Sequence, residues 1–117
     1  MDTLYGSVII RTAQPDEVAV LMEQSSALLS SLYPAESNHL VSAEELSGTN
    51  AVLLGAFLGE SSVGMIGLVD YREDGYAEVK RLFVSEVHRG AGIATALMAE
   101  VEALAIEWGL FLMRLET

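Results

Sequence analysis

The stretch Arg89-Gly90-Ala91-Gly92-Ile93-Ala94 carries the most pointed chemistry in the chain. Glycines let a backbone curl closely around a ligand. A helix that begins here offers N–H groups with no acceptor inside the helix, at the positive end of its dipole. Arg89 adds a charged donor. Together these groups suit a pyrophosphate. The same residues also suit a tight strand-to-helix turn that holds no ligand, because glycine-rich turns are common. No glycine here is followed by lysine, so the loop is not the phosphate loop of nucleoside triphosphatases. A dinucleotide fingerprint would place a third glycine where Thr95 stands, and it would open a parallel strand–helix–strand unit. Both departures argue against a nucleotide-binding fold. The two histidines, His39 and His88, form no cluster, and with no cysteine in the chain a metal site is not expected.

The composition frames that loop. The chain has 117 residues, 51% of them apolar, which suits a single domain spanning residues 1–117 and argues against disorder. Its formal charge is -11, from 17 acidic and 6 basic side chains. An acidic surface disfavours nucleic acid, accommodates a cationic partner and aids solubility. No Lys or Arg occurs between Thr12 and Tyr71, whereas Lys80, Arg81 and Arg89 fall within ten residues. One local basic spot in an acidic chain points to one anionic ligand. No apolar run suggests a membrane span, and the N-terminus lacks the basic start and apolar run of a signal peptide, so a cytoplasmic location is expected.

The elements that must position the loop follow from pattern. Residues 6–11 read as a short strand. Pro15, Asp16 and Glu17 suit a first helical turn, and Val18, Leu21, Met22, Leu28, Leu29 and Leu32 mark its apolar face up to Pro34. Ser42 and Glu45 form a capping box, so a second short helix begins there. Residues 51–58 and 62–70 form a hairpin around Gly59-Glu60-Ser61, and Asp74-Gly75 turns the chain into a third strand over 76–84. After the glycine loop comes a helix with Ala94, Leu97, Met98, Val101, Leu104, Ala105 and Trp108 on one face. Gly109 ends it, and a last strand runs over 110–115. The fold class is therefore α/β (α+β), with a mixed, mostly antiparallel sheet flanked by helices and a parallel crossover at the end.

Glu78-Val79-Lys80-Arg81-Leu82-Phe83-Val84, then Arg89-Gly90-Ala91-Gly92-Ile93-Ala94, then Leu97-Met98, resembles the central motif of the GNAT superfamily, the Gcn5-related N-acetyltransferases. Arg89, Gly92 and Ala94 satisfy its signature Gln/Arg-x-x-Gly-x-Gly/Ala. The order of elements agrees over nearly the whole chain, and Leu32-Tyr33-Pro34-Ala35-Glu36-Ser37 is similar to a bacterial branch of the superfamily.

The resemblance implies acetyl-CoA as cosubstrate and a primary amine, on a small molecule or a peptide, as acceptor. It implies pyrophosphate binding by the backbone of Arg89, Gly90, Ala91, Gly92, Ile93 and Ala94. It implies pairing of the pantetheine arm with Leu82, Phe83 and Val84, where a bulge splays the sheet. Ala77-Glu78-Val79 matches the context of the catalytic glutamate of histone acetyltransferases in the superfamily, so Glu78 is the candidate general base. The alternative for Glu78 is an ion pair with Lys80 or another cation.

The resemblance also implies a further helix and two strands, on the order of 30 residues, along with a tyrosine that protonates the leaving thiolate. Tyr33, Tyr71 and Tyr76 do not stand at that position. The chain thus reads as a C-terminally short form, and its apolar last strand is expected to form a homodimer. The functional alternative to an N-acetyltransferase is a non-catalytic acyl-CoA-binding or interaction module with an incomplete site.

Overall fold

The structure is a computed structural model, which describes residues 2–32 and 41–115. Six strands form one sheet in sequence order: β1 (Thr3–Tyr5), β2 (Val8–Thr12), β3 (Ala51–Leu58), β4 (Ser61–Tyr71), β5 (Tyr76–Val84) and β6 (Met113–Leu115). Neighbours pair antiparallel except β5 and β6, which are parallel. The helices are α1 (Ala19–Leu32), α2 (Ala43–Leu46) and α3 (Ile93–Glu107). α3 is the crossover between the two parallel strands, as a parallel pair requires.

Each sheet face has its own core. Ile93, Leu97, Val101 and Ala105 of α3 pack with Ile66, Leu68, Ala77 and Val79 on one face. Val18, Leu21 and Leu46 pack with Leu53, Phe57, Met65 and Val69 on the other, beneath α1 and α2. The contact under α3 depends on Gly64, where an added Cβ would stand 3.1 Å from Ile93 and 3.2 Å from Leu97. The missing side chain lets the first turns of α3 sit against β4.

Several expected boundaries shift. β1 was not apparent in the sequence. Its three residues are all exposed, so no alternation marks them. Pro15–Val18 is a 3-10 turn that leads into α1 rather than its first α turn. Leu28 and Leu32 are exposed, so the buried stripe of α1 runs through Leu21 and Ser25 instead. On α3, Ile93 is buried and Ala94 is exposed, which moves Ala94 off the apolar face. The last strand occupies three residues, not 110–115. Gly109 and Leu110 are consumed in ending α3, where Gly109 N–H donates to Ile106 (2.9 Å) and Leu110 N–H donates to Ala105 (2.8 Å). The expected capping box at Ser42 and Glu45 is present. His39, and Tyr33 through Ser37 of the motif after Leu32, lie outside the described residues.

Candidate active site

The site begins where β5 breaks its register. Met65 opposes Phe83 and Gly67 opposes Lys80, so Arg81 and Leu82 together face the single residue Ile66. This is a β-bulge on β5. Arg81 takes φ of 57°, the left-handed region that a residue with a Cβ rarely enters. Its side chain is buried and reaches α1. Nη2 donates to the Met22 carbonyl (3.0 Å) and to Ser26 Oγ (2.7 Å), and Nε lies 3.0 Å from Met22 Sδ. These bonds hold the bulge in place. The bulge also re-phases the strand: Val79 and Val84 both pack under α3, while Phe83 packs on the opposite face. β6 pairs only with Ala77–Val79, so the outer side of Leu82, Phe83 and Val84 has no partner strand among the described residues.

Past Val84 the chain makes a 3-10 turn (Glu86–His88) and enters the glycine loop. Gly90 and Gly92 have φ of 86° and 82°, and Gly92 is the N-cap of α3. No side chain caps this helix end. The first N–H to bond within it is that of Ala96, to Gly92 (3.0 Å). The N–H groups of Ile93, Ala94 and Thr95 are therefore left at the helix mouth, as a helix N-terminus dictates. No acidic residue occupies its first turn, although the chain carries 17 of them. Arg89 Nε donates to the Val84 carbonyl (3.0 Å), and its guanidinium lies 5.3 Å from the Phe83 ring centre. Arg89 thus ties the loop back to the end of β5. Val84, His88, Arg89, Gly90, Gly92, Ile93, Ala94 and Thr95 line one cavity of about 310 Å³. Leu82, Phe83 and Ala91 adjoin it in sequence.

Glu78 stands apart from this cavity. It opposes Val69 across the β4–β5 ladder, and so shares the sheet face beneath α1 and α2. Its Oε2 lies 3.0 Å from Lys80 Nζ, which realises the ion pair. On the same side of the molecule, a cleft of about 520 Å³ lies between α1 and α2, lined among others by Met22, Ser26, Glu23 and Glu44. Met22 and Ser26 are also the partners of Arg81, so the bulge and the cleft share residues. Of the three cations read from the sequence as one basic spot, only Arg89 lines the loop cavity: Lys80 pairs with Glu78, and the bulge turns Arg81 to a buried place against Met22 and Ser26 of α1, a role that the sequence did not signal. Tyr5, whose hydroxyl lies against Gly92, gives no signal in sequence. Among the described residues, no cluster of His, Asp and Glu is placed to hold a metal ion.

A six-stranded sheet with a bulged fifth strand, followed by an uncapped, glycine-led helix, defines the acyl-CoA N-acyltransferase class of fold. Residues 19–117 match the family described as Acetyltransferase (GNAT) family, and the chain belongs to it. It is 38% identical over 102 residues to an IAA acetyltransferase of Azospirillum brasilense, covering 87% of this chain and 67% of that protein. Among solved structures it is similar to the PaiA N-acetyltransferase of Thermoplasma acidophilum in complex with coenzyme A. That match has a TM-score of 0.72 at 22% identity, over 94% of this chain and 79% of the other. It is also similar to a GCN5-related N-acetyltransferase from Ralstonia eutropha, with a TM-score of 0.70 at 17% identity, over 94% and 83% of the two chains.

Proposed function

We propose that the protein transfers an acetyl group from acetyl-CoA to the primary amine of a cationic acceptor. The observation that carries this reading is the cavity at the mouth of α3. There, uncapped N–H groups, two left-handed glycines and Arg89 converge with no carboxylate in the first helical turn. Those groups fit a diphosphate. The outer edge of Leu82, Phe83 and Val84, beyond the residues that β6 pairs with, offers backbone donors and acceptors to an amide-bearing arm. The donor supplies a thioester, whose acyl carbon is attacked by the amine as the carbon–sulfur bond breaks and coenzyme A leaves with the bonding pair as its thiolate. The chain's own part is to hold the donor, to align the amine and to accept its proton.

Glu78 is the proposed acceptor of that proton, directly or through water, and to act it must exchange its contact with Lys80 for one with the amine. Glu23 and Glu44 at the α1–α2 cleft favour a cationic acceptor such as a polyamine or a basic peptide amine. Steady-state release of coenzyme A from acetyl-CoA with a panel of amines tests the reading. Cationic amines should be turned over in preference to neutral ones, with a KM that rises with salt. Equal turnover of neutral amines, without salt dependence, overturns the acceptor class. The Glu78–Lys80 ion pair favours a second reading, an acyl-CoA-binding module without turnover. Coenzyme A binding with no amine-dependent thiol release would select it.

A further inference from the structure

Lys80 is a largely buried cation that the acetyl transfer described above does not use. Its side chain is 13% exposed and that of Glu78 20%, with 3.0 Å between Nζ and Oε2. The two stand two residues apart on β5, ahead of the bulge, and so project from one face of the sheet. Lys80 opposes Gly67, where an added Cβ would meet Leu46 of α2, so that face is the one beneath α1 and α2. Among the described residues, pairing with β6 stops at Val79, which makes Lys80 the first residue of β5 beyond it. The next cation, Arg81, is turned away, its guanidinium bonded to Met22 and Ser26 of α1. Lys80 thus stands at the bulge end of the open edge of Leu82, Phe83 and Val84, the end remote from the glycine loop. An arm whose diphosphate sits at the loop and which runs along that edge carries its thioester toward Lys80.

The reaction also changes the charge around the pair. When Glu78 takes the amine proton, its carboxylate ceases to be an anion for Lys80. The same step creates a new anion, the thiolate of coenzyme A. An ammonium held largely away from water favours an anion within reach. Lysine, unlike arginine, can also surrender a proton.

We propose that Lys80 is the catalytic acid, whose ammonium donates a proton to the departing thiolate. The amine nitrogen bonds to the acyl carbon, and the carbon–sulfur bond breaks with its pair going to sulfur. The amine proton passes to Glu78, the Lys80 proton to sulfur, and the Glu78 proton to Lys80, which restores the ion pair. The net transfer is one proton from amine to thiol. The inference rests on the proposed acetyl-CoA reading, with Glu78 as base, and assigns the proton that the thiolate needs.

The test measures turnover of the 117-residue chain and of Lys80→Arg with two donors, acetyl-CoA and its selenium analogue, acetyl-seleno-CoA, and the fastest amine of the panel. Arginine keeps the charge facing Glu78 but does not release a proton. With acetyl-CoA, Lys80→Arg should be roughly 100-fold slower, with coenzyme A affinity unchanged. The selenolate is a far weaker base than the thiolate and leaves without a proton, so with the second donor most of that deficit should disappear. The two donors are compared on one protein sample, so their ratio is independent of the folded fraction. A deficit equal for both donors would give Lys80 a structural role and overturns the inference. Lys80→Arg as fast as wild type on acetyl-CoA, with Lys80→Met slow, would show that charge alone is needed and also overturns it. Both results leave the acetyl-CoA reading standing. A wild-type chain with no amine-dependent thiol release overturns that reading and the inference together.

Discussion

Gly92 meets two demands at one backbone position: a φ of 82° and the contact with Tyr5. Any side chain there meets a left-handed penalty of about 1–2 kcal/mol together with the crowded hydroxyl. Gly92→Glu adds a negative charge at the positive end of α3. Coenzyme A affinity should fall at least tenfold by calorimetry, and unchanged affinity would remove the loop from the site. Glu78 requires a different experiment because its carboxylate is already engaged by Lys80. As a general base it should make Glu78→Gln roughly 100-fold slower or worse, flatten the acidic limb of the pH–rate profile and leave coenzyme A affinity intact. Near wild-type rates across pH would reduce the residue to an ion-pair partner. The glycine loop and its place at the start of α3 were legible because Gly90 and Gly92 mark the left-handed turns that lead into the helix. Tyr5 was not, since only the folded hairpin brings residues 5 and 92 together.

Among the elements, those built on local chemistry were legible: the capping box at Ser42, the β3–β4 hairpin and the long stripe of α3. β1 escaped because a three-residue exposed strand has no periodicity. β6 was overextended because an apolar run does not say which of its residues end a helix and which pair with a strand. The bulge was implied only by family resemblance. No glycine marks it, and the left-handed residue, Arg81, is held there by partners 59 and 55 residues away in sequence. The junction between β2 and α1 carries a prediction of its own. Arg11 on β2 makes two bonds to the Glu17 carboxylate (3.1 and 2.7 Å), which also accepts the Gln14 N–H (2.8 Å). Chiefly the guanidinium, then the backbone N–H, hold the Glu17 carboxyl down to about 2, from an ordinary 4.5. A depressed folded-state value means the stabilisation is present above about pH 4.5 and is lost as pH falls toward 2. The gap in thermal midpoint between wild type and Glu17→Gln should therefore be full at neutral pH and close between those values. A gap that persists at pH 2 would show that Glu17 acts by packing rather than by charge.

Taken whole, the molecule is strongly acidic yet carries an apolar margin at the β6 edge of its sheet. Phe111, Leu112, Leu115 and Ile106 are 84%, 55%, 57% and 59% exposed, and they cluster around β6 and the end of α3. Ile106 and Phe111 line a shallow hollow there with Leu110 and Met113. Among the described residues no strand pairs with the outer side of β6. Exposed apolar side chains beside an unpaired strand edge recruit a partner. A formal charge of -11 on each copy opposes close approach, so association should strengthen as salt screens the repulsion. We propose a two-fold dimer in which the β6 margins of two copies bury one another, the simplest closed arrangement for a self-complementary face. Sedimentation at micromolar concentration should show a dimer whose dissociation constant falls from low to moderate ionic strength. Phe111→Lys should leave a folded monomer with an unchanged circular dichroism spectrum. A wild-type chain that sediments as a monomer at every ionic strength, or a Phe111→Lys variant that dimerises undiminished, would show that this margin is not the interface.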